Sequence, residues 1–311
     1  MGYIGKVVKE FRIKRNLSRN DLAAGICSEK FLYLIEKNDR TPSADVLRLF
    51  SNRLGVNLFE YYEYVDCKEP IKVREAMYQC ARLRRTSEFP KLKEITEVMK
   101  SLPDFSKNPW RYEVLVNQYC IMLFQDMDIK GTIEGVEEVI AHLEPEYADE
   151  EFTAGLYALL STGYQMIMDI ENAKRTYEIG SKIIDHTKGN SRYDQIHVSL
   201  KLTAMSLALY GGDYKEAIEV GLELVQLQEA TSSYERFNIT SYFLACAYYK
   251  DGQEELAFQW FDKSAHHLLM LYRPSIAYHI HSSDLFETFT NDPSAKRDLI
   301  VWLKEKYDFM A

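Results

Sequence analysis

The sequence is poor in the residues that interrupt helices, with 14 Gly and 8 Pro in 311 positions. That scarcity excludes collagen-like and low-complexity chains and suits an all-α fold. No apolar run approaches the ~18 residues of a membrane span, and the opening MGYIGKVVKEF has no apolar signal core, so neither membrane insertion nor export is expected. Cysteine is scarce as well. Cys27, Cys67, Cys80, Cys120 and Cys246 are odd in number, far apart and without a CxxC pair. This points to reduced thiols in the cytoplasm rather than a disulfide framework. There is no phosphate loop, no GxSxG and no HExxH. His266-His267 and His279-x-His281 lack the i, i+4 spacing and the Cys partner of a zinc site. Asn238-Ile239-Thr240 fits a glycosylation acceptor only in an exported chain. Acidic pairs such as Glu137-Glu138 and Glu254-Glu255 read as solvated helix faces. Neither a cofactor nor catalysis is expected.

What is present divides into two parts. The length favours two domains, and 46% apolar residues allow a real core. Residues 1–62 hold 11 Lys/Arg against 7 Asp/Glu, a net of +4, whereas the remainder nets −13. A basic head on an acidic body assigns any contact with nucleic acid to the head.

The head reads as five short helices. Residues 3–16 carry a buried stripe of Ile4, Val7, Val8 and Phe11. The stretch SRNDLAAGICSEKFLYLIE then gives two helices joined at Gly25-Ile26-Cys27. Ser18 caps the first with Asp21 closing a capping box, and Ser28 caps the second. Thr41-Pro42 is expected to open the fourth helix, with Pro where a missing N–H is tolerated. Val46, Leu47, Phe50 and Leu54 are its apolar face, and Gly55 ends it. Asn57 with Glu60 is read as a capping box for a fifth helix around LFEYY. Such a unit presents the start of its second short helix to a major groove.

The run from IGKVVKEF to RLGV resembles the Xre/repressor-type helix-turn-helix family. The resemblance rests on IG near the start, the R..R.LS entry, LA in the scaffold helix, S…IE around the second helix, the PS pair and the closing L.V. Two places depart from the family pattern: Arg19 stands where Gln often follows Leu-Ser, and Tyr33-Leu34 stands where Ser-Arg often precedes Ile-Glu.

EYVDCKEPIK, residues 63–72, is polar, contains Pro70 and reads as a hinge. The expected division is 1–66 for the DNA-binding head, 67–72 for the linker and 73–311 for the body. The body repeats. TSEFPKL, DMDIKGT, IMDIENA, GGDYKEA and KDGQEELA align as five helix–helix junctions. Phe89, Ile129, Ile170, Tyr214 and Glu254 share a column, spaced 40, 41, 44 and 40 residues apart. Ala173, Ala217 and Ala257 share another, where a small residue lets helices approach; Leu92 makes the first copy weak. The period resembles tetratricopeptide repeats with lengthened helices, whose standard unit is ~34 residues. That resemblance implies a right-handed superhelix with a concave face. Pro274 to Phe309 reads as a final helix pair.

A repressor-type head on five degenerate tetratricopeptide-like repeats resembles the RRNPP group of quorum-sensing regulators, whose DNA-binding members are PlcR-like, Rgg-like and PrgX-like. GICSEKFLYLIE and RLGVNLFE are near the PrgX-like head, whereas the repeats follow the PlcR-like pattern. The resemblance implies a cytoplasmic homodimer that binds a short signalling peptide on its concave face and changes transcription.

On the DNA side, Ser28, Glu29, Lys30 and Tyr33 are the candidates for base contact. Glu29 would accept from a cytosine amino group and Lys30 would reach guanine. Arg19, Lys37 and Arg40 are the candidates for phosphates. The competing reading is a set of solvated helix-start charges. On the peptide side, Asn117, Gln165, Asn238 and Tyr242 would satisfy the amides of an extended peptide, with Lys201 nearby. Arg74 and Arg84 would take a carboxylate. The competing reading is polar residues on a wet surface. At the level of the whole chain, the alternatives are an interaction module that sequesters another protein and a constitutive repressor whose repeats only dimerise.

Overall fold

The structure is a computed structural model that describes residues 4–185, 194–231, 234 and 236–271. The expected helix pair at 274–309 and His279-x-His281 lie outside them. Among the described residues there is no strand. None of the described helices is long and apolar enough to cross a membrane. The chain divides into two compact units, Met1–Ile121 and Met122–Ala311.

The first unit begins with α1 (Ile4–Lys14), α2 (Arg19–Ala23), α3 (Glu29–Glu36) and α4 (Ala44–Leu54), followed by a 3-10 helix at Leu58–Tyr64. Val7, Val8, Leu22, Leu32, Ile35, Leu47, Phe50 and Leu58 form a core that no single helix of this length could close alone. The caps follow the sequence. Ser18 and Asp21 form a full capping box, and Ser28 accepts from the Phe31 amide at 3.1 Å. Gly5 permits the closest approach in the head, because a Cβ there would lie 1.7 Å from the Ile35 carbonyl oxygen.

Two local expectations are corrected. The fourth helix starts at Ala44, with Ser43 as its cap accepting from the Val46 amide at 3.3 Å. Pro42 is buried ahead of the cap, and a Ser hydroxyl supplies the capping acceptor that Pro lacks. The fifth helix is 3-10 rather than α. Asn57 accepts from Phe59 and donates to the Glu60 carboxylate at 3.1 Å, in place of a reciprocal box on the backbone.

Residues 63–72 are tied down on both sides. Cys67 is buried, Tyr64 stacks on Trp110 at 5.0 Å, and the buried Asp104 carboxylate accepts from the Lys68 and Glu69 amides at 2.7 and 3.0 Å. The unit continues through α5 (Pro70–Arg85) and α6 (Phe89–Ser101) into α7 (Trp110–Phe124).

The second unit contains α8 (Ile129–Ala141), α9 (Glu151–Met166), α10 (Ile170–Asp185), α11 (Asp194–Gly211), α12 (Tyr214–Thr231), α13 (Phe237–Lys250) and α14 (Glu254–Leu271). Neighbouring helices pack in chain order, and α9, α11 and α13 also touch one another in sequence. That is the stacking of repeated helix pairs.

The five aligned junctions are one structure used five times. The column Phe89, Ile129, Ile170, Tyr214 and Glu254 supplies the first residue of α6, α8, α10, α12 and α14. Two residues earlier the backbone is left-handed at every copy, with φ of 56° at Ser87, 55° at Met127, 62° at Met168, 80° at Gly212 and 79° at Gly252. Asp128, Asp169 and Asp213 then accept from the amides of Gly131, Asn172 and Glu216 at 3.0, 3.2 and 3.1 Å. The small-residue column is buried throughout, including Leu92 and Thr132.

Candidate nucleic-acid interface and ligand-side residues

The head presents one polar face built on α3. Its N-cap Ser28 and the following Glu29 and Lys30 are exposed. Tyr33 and Lys37 lie three and seven residues after Lys30, so the three share a helical face. Tyr33 is 42% exposed, and Arg40 is exposed in the turn beyond α3. Seven candidates are thus within one helix-turn-helix, six on or flanking α3 and Arg19 at the start of α2.

Arg19 is held by two partners within the head. Its Nε donates to Glu36 Oε2 at 2.7 Å, and its guanidinium centre lies 5.1 Å from the Tyr33 ring centroid. Lys37 Nζ lies over the same ring at 6.0 Å. Glu36 is the organiser that sequence reasoning did not single out. Its side chain is 1% exposed and also accepts from Arg12, at 2.5 Å from Nε and 3.2 Å from Nη2. Burial pushes the Glu36 carboxyl up, but the hydrogen bonds from Arg12 and Arg19 outweigh it and hold it below the ordinary value of 4.5. Arg53 was also missed. Its Nη1 donates to the carbonyls of Leu22 and Ala24 at 2.9 and 2.6 Å, closing the end of α2. The Ile-Glu pair was the available signal for Glu36; the sequence carries none for Arg53.

The ligand-side candidates fall in both units. In the first, Asn117 is fully buried; its Oδ1 accepts from Arg84 Nη1 at 2.5 Å, and its amide nitrogen lies 3.6 Å from Met99 Sδ. Arg84 also faces Glu113 at 3.5 Å. Arg74 does not join them. It pairs with Glu60 and lies 4.8 Å over the Tyr61 ring. In the second unit, Gln165 on α9 donates to the Ser206 hydroxyl of α11, and Lys201 pairs with Glu223. On α13, Asn238 and Tyr242 are half-buried; the Asn238 backbone carbonyl accepts from Ser264 at 2.7 Å, and Tyr242 packs its ring 6.1 Å from Phe261. Gln228 carries no signal in the sequence. It is fully buried, and neither side-chain amide atom has a hydrogen-bond partner among the described residues.

Burial keeps the thiols of Cys67 and Cys80 protonated. Burial pushes Cys80 up to about 11 and Cys67 up to about 12, well above neutrality. Among the described residues no group of His, Cys, Asp and Glu is placed to hold a metal ion.

A helix-turn-helix family model matches residues 8–61. No curated protein matches the chain. Among solved structures, the chain is similar to Bacillus thuringiensis PlcR in complex with the peptide PapR7 and DNA, at 14% identity and a TM-score of 0.67, covering 89% of this chain and 99% of that one. It is similar to ComR from S. thermophilus in complex with DNA and its signalling peptide ComS, at 16% identity and a TM-score of 0.55, covering 91% and 98%. It is also similar to PrgX in the PrgX/cCF10 complex, at 16% identity and a TM-score of 0.51, covering 95% and 94%. Residues 8–61 are thus a helix-turn-helix domain, and the chain as a whole shares its fold with PlcR, ComR and PrgX.

Proposed function

We propose that this protein is a peptide-responsive DNA-binding regulator of transcription, a cytoplasmic homodimer and not an enzyme. The observation that carries the reading is the joining of a cationic head, with capped α2 and α3, to a helix pair repeated five times along the same chain, which shares its fold with PlcR in its complex with a peptide and DNA.

In this reading residues 1–66 are the head, 67–72 its connection and 73–311 the peptide-binding and dimerising body. Two heads engage a two-fold site whose half-sites lie about 34 Å apart, or a multiple of that. Ser28, Glu29, Lys30 and Tyr33 face base edges, while Arg19, Lys37 and Arg40 face phosphates. Asn117, Gln165, Lys201, Asn238 and Tyr242, with Arg74 and Arg84, serve the peptide. The peptide acts by binding one arrangement of the heads more tightly than the other, because equal binding shifts nothing.

The test is selection from a pool of randomised duplex DNA by the full-length protein, with and without an array of short synthetic peptides. Enrichment of a two-fold site, with affinity changed by at least one peptide, is the expected result. No enrichment removes the DNA-binding role. A second reading, a constitutive regulator with a purely dimerising body, draws on the way Gln165, Lys201 and Arg84 are engaged by Ser206, Glu223 and Asn117 within the chain. It is the outcome if a site is enriched and no peptide alters it.

A further inference from the structure

Resting on the DNA-binding reading of the head, we propose that Arg19 and Tyr33 act as one DNA-reading unit, in which Arg19 both grips a phosphate and sets the ring of Tyr33 against a thymine methyl. A lone arginine on a phosphate is blind to sequence. Arg19 is not alone. Its Nε–H is committed to Glu36 at 2.7 Å, and its planar guanidinium lies 5.1 Å from the Tyr33 ring centroid. Glu36 is held in turn by Arg12, so the anchor for Arg19 is a buried carboxylate with a fixed position.

Two anchors, one polar and one aromatic, remove most of the rotamer freedom of the arginine. Among the described residues no other acceptor is bonded to Arg19, and its remaining N–H donors suit a phosphate oxygen. The ring gains as much. Arg19 and Lys37 both lie over it, and cations are drawn to the π face. Tyr33 is nonetheless 42% exposed, on the helical face that carries Lys30. A ring with cations over its face and 42% of its surface exposed keeps apolar ring carbon available to a partner. In a major groove the apolar group that distinguishes one base from the others is the 5-methyl of thymine.

The consequence is unusual for a phosphate contact: a change at Arg19 should erase a base preference. The test uses the full-length protein and the duplex it enriches from a randomised pool, with each thymine replaced in turn by uracil, which lacks the methyl. One uracil per half-site should weaken wild-type binding roughly fivefold. Tyr33→Ser should bind the two duplexes equally. Arg19→Lys keeps the charge but loses the planar guanidinium and its Nε–H; it should also bind them equally, while its salt slope on a random duplex stays within error of wild type. The double variant should show no further loss of preference. Thermal melts of both variants report any damage to the head independently of base preference. Full uracil sensitivity in Arg19→Lys, or no uracil position that Tyr33→Ser levels, overturns the coupling while leaving the DNA-binding role standing. A wild-type protein that enriches no sequence ends both.

Discussion

Arg84 of α5 donates to Asn117 of α7 at 2.5 Å, joining two residues that the sequence offered as separate peptide contacts. The pair lies against Glu113, so the first unit holds a small buried polar cluster. An amide this deeply buried is costly unless bonded, and the arginine supplies the bond.

Asn117 and Asn238 therefore separate by stability. Asn117→Ala strands part of the Arg84 guanidinium and should cost about 1–3 kcal/mol in a denaturant melt. Asn238→Ala, at a half-buried position, should stay within about 0.5 kcal/mol. The double variant should lose the peptide response while the peptide-free protein binds DNA normally, read by anisotropy on the enriched duplex. A normal response would remove both from the ligand site.

Glu36 makes the head sensitive to acid. Its folded value lies below the ordinary 4.5, so the folded state stays ionised where the unfolded chain already binds a proton. The stability it contributes is present above pH 4.5 and is lost as pH falls through the depressed value. Asp21 titrates low as well, held by the Ser18 hydroxyl, so the comparison must be wild type against Glu36→Gln. The difference between their melting temperatures should be large near neutrality and shrink in acid. Near neutrality, loss of the buried carboxylate should cost about 3 kcal/mol.

Gly5 should tolerate no side chain. A Cβ placed 1.7 Å from the Ile35 carbonyl oxygen meets backbone rather than a movable side chain. Gly5→Ala should push α1 off α3 and destabilise the head by about 1–3 kcal/mol, seen as a lower melting temperature and weaker binding to any duplex.

The repeated junctions predict an asymmetry between their residues. Gly212→Ala and Gly252→Ala put a Cβ at φ of 80° and 79°, which should cost about 1–2 kcal/mol each. Met168 already carries that cost at φ 62°, and its side chain is exposed. Met168→Gly should therefore be neutral or stabilising in the same melt, its gain limited by the greater freedom of Gly in the unfolded chain.

Much of this molecule was legible because its information is local. The aligned junctions located the breaks between helices, with the shared column falling on the first residue of five of them, and Ser18 and Ser28 announced the caps, since capping and turn chemistry act over three or four residues. Where several local solutions compete, the reading failed: Pro42 and Ser43 both suit a helix entry, and LFEYY suits either helical geometry.

The sequence by itself determined the helical class, most of the helix caps in the head and the head's cationic character. Only the tertiary structure decided the partnerships. Arg19 and Tyr33, the two departures from the helix-turn-helix pattern, meet across α2 and α3. Glu36 collects arginines from 24 and 17 residues away, and Asp104 reaches back 36 and 35 residues to hold the stretch expected as a hinge. The reason is geometric. Periodicity says which face of a helix is buried, but the angle and distance at which two faces pack decide which side chains touch, and those emerge only when all the helices compete for one core.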